Sequence, residues 1–547
     1  MSDLIIFLGF YILIVFSVVG YGNFFVHFLK DSNIINCFGI QGLIGVSFLT
    51  ILSYSTNIFF AHGYLHNTIV LVLGIIFFIL NFLDKREIVS KNIVITSLFF
   101  LILFIGLLMH KNHDDFFYYH FPYTLSLVES NKIIGIGHLN HGFRTPSSIF
   151  YLNSLFYLPI INYFIINIGA ILYMGFANIF LINRISKFLK IKNIFLLFLS
   201  SLSFLYINTA FYRISEHGTD RSALILIFLL IIVLLESINI KNIKDNLNEL
   251  KKYYNEIIIL LFLIISLKIF YFIYLVLFLT WIIYFINTAK LKDIFYILLN
   301  NPITYFLIYG IFLVLINVFL NTGCIIYPAS FTCFENLNWG IDVEQVKDMK
   351  IWYEQWSKAG AGPNFRVDDV SLYLTNFNWI SGWVERYFFT KVTDALFVII
   401  LISIILLTVF SKKKNNKSTQ SIKYKIFYLV IISLFLEWFF NHPALRYGGF
   451  TVVALIFFIP TSIYLSRYDY ERSFLKKRIY SLIILSLFVF VFKNINRINN
   501  EYNKYEYNPL KDPYFFLDQN AFIISNKIIK LNKINDNKYL IINKYDR

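Results

Sequence analysis

Charge is what this chain has least of. Only 15% of its 547 residues are Asp, Glu, Lys or Arg, against 58% hydrophobic. Soluble domains carry roughly 25% charged and about 45–50% apolar residues. One very large soluble core would need polar helix faces, which these segments lack. A basic leader and an A-x-A-like cleavage site are also missing, which argues against a cleaved signal peptide, so 4–21 reads as a retained first span. No repeat of 20–50 residues is evident, which argues against a solenoid. Cysteine is scarce: Cys37 lies in an apolar run, and Cys324 and Cys333 sit nine positions apart in one loop. An oxidising compartment would allow that pair to join; the alternative is two free thiols.

What is present is apolar sequence in long runs. They fall at 4–22, 37–60, 67–83, 92–109, 163–183, 193–209, 220–239, 255–268, 270–286, 303–320, 394–410, 426–440, 448–465 and 479–493. The expectation is an all-α polytopic membrane protein of about 12–14 transmembrane helices, because backbone polar groups in lipid must be satisfied within the segment. The stretch 255–286 reads either as two short helices meeting near Lys268 or as one long tilted helix.

The formal charge of +16 would suggest nucleic acid on a soluble chain. Here the basic residues sit in short links such as Lys85-Arg86, Arg184…Lys192, Lys241…Lys252, Lys412-Lys413-Lys414 and Arg467…Arg478. They alternate with links poor in Lys and Arg, so the charge sets topology and no nucleic-acid partner is expected. The basic links go to the cytoplasm and both termini to the far side. The lysine-rich tail 494–547 conflicts with that placement; it reads as a small cap or an unstructured extension.

Chemistry concentrates at the far side. Asp114-Asp115 follow the fourth run, and then come Tyr119-His120-Phe121-Pro122. Pro122 suits a first helical turn, and Phe121, Leu125 and Val128 recur at helical spacing, which predicts an amphipathic surface helix. The acids suit a general base or a cation site; otherwise they mark the water boundary and cap the helix. The segment Gly135-Ile136-Gly137-His138…His141-Gly142-Phe143-Arg144 is a tight loop in which Arg144 can grip a phosphate. It is not a dinucleotide fingerprint, since no strand and helix flank it as required. A second cluster holds Glu216, His217 and Asp220, candidates for an acid, base, acceptor or cation site, or else a self-paired polar cap. Lys268 inside an apolar run suits an anion partner, with snorkelling as the alternative. Arg446, on a short far-side link, goes against the charge bias and implies a local anion. Five of the seven tryptophans lie in 321–393, where they suit either sugar stacking or the membrane interface.

These residues resemble the GT-C superfamily of polytopic glycosyltransferases: an acidic first large outer loop (Asp114-Asp115), a later acid cluster (Glu216…Asp220), a lysine at Lys268 and an outer arginine at Arg446. More narrowly, Asp115…Tyr119-His120-Phe121-Pro122, Gly135-Ile136-Gly137…Gly142-Phe143, Tyr327-Pro328 and Pro443…Arg446-Tyr447 look like a group of bacterial GT-C-like membrane proteins of undefined substrate, over about 92–450. Four runs precede the acids here, where such enzymes usually have one.

The resemblance implies additional helices in 1–91, a GT-C-like core in 92–493 with outer loops 110–162 and 321–393, and the tail 494–547. It implies transfer of a sugar from a polyprenyl-phosphate donor to a glycan, lipid or protein acceptor at the extracytoplasmic face of a bacterial inner membrane. Asp115 or Asp114 would take the acceptor proton. Lys268, Arg446 or Arg144 would hold phosphate. Glu216, His217, Asp220 and His120 would serve an acceptor or a divalent cation. Competing readings are a transporter or flippase of lipid-linked glycan, a surface-polysaccharide polymerase or ligase, and a non-catalytic scaffold.

Overall fold

The structure is a computed structural model that describes residues 2–28, 37–84, 86–109, 113, 115–216, 218–240, 247–286, 291–362, 367–411, 424–505, 508–514, 529–535 and 538–543. Helices dominate. In chain order they are α1 (Ser2–Phe28), α2 (Phe38–Asn57), α3 (Tyr64–Asp84), α4 (Arg86–Leu107), α5 (Phe121–Glu129), α6 (Ser148–Ser154), α7 (Ile168–Ile191), α8 (Ile194–Ala210), α9 (Gly218–Ser237) and α10 (Leu247–Leu267). There follow α11 (Leu275–Ile286), α12 (Leu291–Leu299), α13 (Pro302–Thr322), α14 (Val343–Lys358), α15 (Val370–Leu374), α16 (Trp379–Trp383), α17 (Thr393–Phe410), α18 (Lys425–Asn441), α19 (Gly449–Leu465) and α20 (Arg472–Tyr505).

Each of the fourteen apolar runs carries a helix. Among the described residues, ten stretches are long and apolar enough to cross a membrane, which makes the chain a helical polytopic membrane protein. The count falls short of the expected 12–14 for local reasons. Helices α8, α18 and α19 have 17 residues each, and α10 opens on Glu249, Lys251, Lys252 and Glu256, which shortens its apolar part. One antiparallel hairpin, β1 (Ile529–Asn535) with β2 (Lys538–Asn543), lies in the tail.

Helices α7 and α9 are apolar on every face through their middles and buried nearly throughout, as central helices must be. Around them stand α2, α8 and α10; α3 and α20 stay largely exposed. The N-terminal helices cross closely. A Cβ on Gly20 would meet the Gly74 carbonyl oxygen at 1.9 Å, and one on Gly45 would meet that of Val18 at 1.9 Å. Small residues let backbones approach where lipid provides no hydrophobic driving force.

The two ends of the bundle differ. At the end carrying the basic links, Arg184 of α7 bonds Glu236 of α9 (3.0 Å) and Glu256 of α10, and Lys187 reaches Glu236 at 2.7 Å. At the other end lie the α4–α7 loop, the α10–α11 break and the α18–α19 link. There the Tyr514 ring packs edge-on against Phe7, 5.9 Å between centroids, beside the start of α1. Chain entry and residues 508–514 therefore share the end that carries the acidic loop.

Two boundaries differ from the sequence reading. Trp379–Phe410 is one helical run, with a π-helical stretch at Val384–Val392, so the long loop closes before Trp379. Helix α20 continues to Tyr505, past the expected tail boundary at 494.

Candidate active site

Four charged side chains from four distant parts of the chain meet at the loop end. Asp115 sits just before a π-helical turn, Phe116–His120, that leads into α5. Asp220 lies in the first turn of α9. Lys268 ends α10: its extended backbone (φ −161°) breaks the helix before a 3-10 stretch, Ile269–Tyr274. The stretch 255–286 is thus two helices with Lys268 at the joint, and the lysine lies at a helix end rather than mid-span. Arg446 lies in the 3-10 turn Leu445–Tyr447, and Gly448, at φ 114°, turns the chain into α19.

Their geometry is an alternating ion cluster. Arg446 Nε donates to Asp220 Oδ2 at 2.8 Å, and its Nη2 lies 3.6 Å from Asp115 Oδ2. Lys268 Nζ donates to Asp220 Oδ1 at 3.0 Å. Tyr271 OH donates to the Arg446 carbonyl at 2.8 Å and so fixes that turn. His113 Nδ1 is 3.4 Å from Asp115 Oδ2, and Tyr119 OH points to the same oxygen at 3.5 Å. Tyr447 lies under both cations: Lys268 Nζ is 4.8 Å and Arg446 Cζ 5.8 Å from its ring centroid. Trp356 of α14 covers Arg446 from the loop side at 5.6 Å.

Burial alone would raise the Asp115 pKa. The His113 hydrogen bond and the Arg446 charge outweigh it and hold the carboxyl well below its usual range. Burial by itself would lower the Arg446 pKa; Asp220 leads the groups that reverse this and raise it. Burial lowers His120 to about 3, so this imidazole is neutral at ordinary pH.

The other candidates lie elsewhere. His120 packs on Tyr119 and Phe150, and its Nε2 finds no hydrogen-bond partner among the described residues. It lines a small cleft with Asn153, Ser215, Glu216 and Thr219. Glu216 is gripped by Arg213 and Arg497 instead of joining Asp115. Arg144 donates to the Gly137 carbonyl at 3.2 Å and to Tyr327 OH at 2.9 Å, so it clamps its own loop. Asp114 and His217 lie outside the described residues. Cys324 and Cys333 are joined by a disulfide. Among the described residues no group of three or more His, Cys, Asp or Glu is arranged to hold a metal ion.

Helix α5 forms where the surface helix is expected, but of the expected stripe only Val128 is buried; Phe121 and Leu125 are half-buried, and Tyr123, Thr124 and Leu127 are buried with Val128. Tyr123 OH lies 2.9 Å from Tyr151 OH on α6, and this contact turns the helix. Sequence reasoning gave no role to His113, Tyr271 or Tyr447, although Tyr447 stands in the Pro443…Arg446-Tyr447 pattern. Tyrosine is common in this chain, with 38 copies, and no local signal separates Tyr271 from the rest. His113, two positions before Asp115, was legible in principle.

No curated protein and no solved structure matches the chain. A family model does, over residues 4–454, which takes in the three N-terminal helices and all four residues of the ion cluster. The chain belongs to the family described as a domain of unknown function, DUF8201.

Proposed function

We propose that this protein is a membrane glycosyltransferase of GT-C type that moves a sugar from a polyprenyl-phosphate donor to an acceptor hydroxyl at the loop end of the bundle. The observation that carries the reading is the convergence of Asp115, Asp220, Lys268 and Arg446 in one ion cluster. Charged groups 48 to 331 positions apart in sequence gather at a membrane boundary only when the fold arranges it, and such clusters mark functional sites.

The chemistry follows from the four groups. Asp220 engages both cations. A lipid phosphate would compete with it for Lys268 and Arg446. Drawing Arg446 toward phosphate would take its charge off Asp115 and raise the basicity of that carboxylate, which the His113 hydrogen bond also holds down. The acceptor oxygen attacks the anomeric carbon, the carbon–oxygen bond to phosphate breaks, Asp115 takes the hydroxyl proton, and polyprenyl phosphate leaves with the electron pair. Lys268 and Arg446 stabilise the charge that develops on it. A carrier of the same lipid would need charge near the membrane midplane and broken helices there; placement at one end favours the enzyme. The extracytoplasmic assignment of that end rests on the positive-inside bias.

The test is release of polyprenyl phosphate from a labelled polyprenyl-phosphate sugar by protein reconstituted in vesicles. Asp115→Asn should lose about 10²–10⁴-fold in turnover while inserting normally. Undiminished turnover in that variant would sink the assignment.

A further inference from the structure

A second group of cations at the loop end lies outside this cluster. The α8–α9 link presents Phe211, Tyr212 and Arg213 in succession. Arg221, one turn into α9, lies over the Phe211 ring at 5.7 Å. Lys493 and Arg497, one turn apart on α20, lie over Tyr212 at 4.5 and 5.6 Å. Arg213 interacts electrostatically with both Arg221 and Arg497. Four positive groups thus surround two neighbouring rings.

The acids nearby do not balance them. Glu216 is taken by Arg213 and Arg497, Glu501 lies one turn beyond Arg497, and Asp220, which acts on Arg221, is already shared by Lys268 and Arg446. Lys493 donates to the Thr209 carbonyl oxygen at 3.1 Å. The Arg221 Nη1 is buried without a hydrogen-bond partner among the described residues. A buried donor left without a partner is costly, and four cations at this end run against the bias that sends Lys and Arg to the other.

The surface beside them says where the missing anion comes from. On α20, Ile484, Leu485, Phe488, Phe492 and Ile495 are all more than half exposed. At spacings of three and four they form one apolar stripe, which extends along α20 to the level of Lys493 and Arg497, the two cations lying on the neighbouring flank turned toward Tyr212. Acyl chains fit the stripe, and a headgroup then reaches the cations.

We propose that Arg213, Arg221, Lys493 and Arg497 form a binding site for the phosphate of an anionic membrane phospholipid, whose acyl chains lie along the exposed face of α20. The site is independent of the ion cluster at Asp115. Its occupant stabilises the docking of α20 on the α8–α9 link.

The experiment is thermal unfolding of the full chain in detergent with added phosphatidylglycerol, phosphatidylcholine or inorganic phosphate. Phosphatidylglycerol should raise the midpoint by about 5 °C; phosphatidylcholine and millimolar phosphate should not. Arg221→Gln, which deletes the guanidinium whose Nη1 lacks a partner among the described residues and leaves Glu216 paired, should fold and lose that rise. Lys493→Gln should lose most of it and serves if Arg221→Gln does not fold. An equal rise in both variants, or no rise in the wild type, overturns the site. A full rise with inorganic phosphate alone overturns the lipid occupant.

Discussion

Asp220 and Asp115 are both carboxylates on Arg446, yet their surroundings differ in a way that separates stability from turnover. Asp220 is nearly buried and serves two cations; Asp115 is about a quarter exposed and touches one at 3.6 Å. Asp220→Asn leaves Lys268 and Arg446 without their shared counter-charge and should cost about 3 kcal/mol, read as a lowered unfolding midpoint. Asp115→Asn should cost far less stability. Equal losses in the two variants would contradict this ranking. His120 adds a pH dependence. Its folded pKa, about 3, lies below the ordinary value of 6.5. Between those values the unfolded chain binds a proton that the folded chain does not, so stability falls as pH drops through that window. His120→Gln should flatten the fall of the unfolding midpoint between pH 6 and 4; an unchanged slope would assign it to other groups, of which His62 (also lowered to about 3) is the first to test.

Helix contacts in this bundle are set by where a side chain would not fit. Gly20 touches the Gly74 backbone, whereas a Cβ on Gly9 of the same helix would meet nothing within 4 Å. Gly20→Ala must therefore push α1 from α3 and should cost about 1–3 kcal/mol. Gly9→Ala should be neutral or gain up to about 1 kcal/mol from helix propensity. Comparable losses at both positions, measured in the same detergent, would mean that the close crossing is not what holds α1. The same scale explains Lys268. Its extended backbone makes it the corner between two helices, so the lysine is delivered to the bundle end by a break in the helix rather than by snorkelling.

Across the whole molecule, the alternation of chain direction puts the start of α1 and residues 508–514 together, with Tyr514 OH at 3.5 Å from the Asp3 carbonyl. Single cysteines at exposed Ile5 and Leu510 should react with a membrane-impermeant thiol reagent from one side. A cysteine at exposed Ile191, at the basic end of α7, should react only from the other. Labelling of Ile5 and Leu510 from opposite sides would refute the even number of crossings.

How much of this could be read beforehand depends on the range of the interaction responsible. Hydropathy is local: a run of apolar residues must become helix in lipid whatever lies beside it, and so the helical class and a helix on each of the fourteen apolar runs were determined by composition along the chain. Charge bias in the links is local too, and it separates the two bundle ends. Which acid meets which cation is not local. Asp115 and Arg446 are 331 positions apart, and only the packing of the α9 and α10 ends against the α18–α19 link brings Arg446 to Asp115 and Asp220 while leaving Glu216 to Arg213 and Arg497 and Arg144 to Tyr327. Each of these residues has the same chemistry in the sequence. Tertiary structure chose among them, because a Coulomb contact acts over a few ångströms and the chain pattern carries no record of distances that short between segments that far apart.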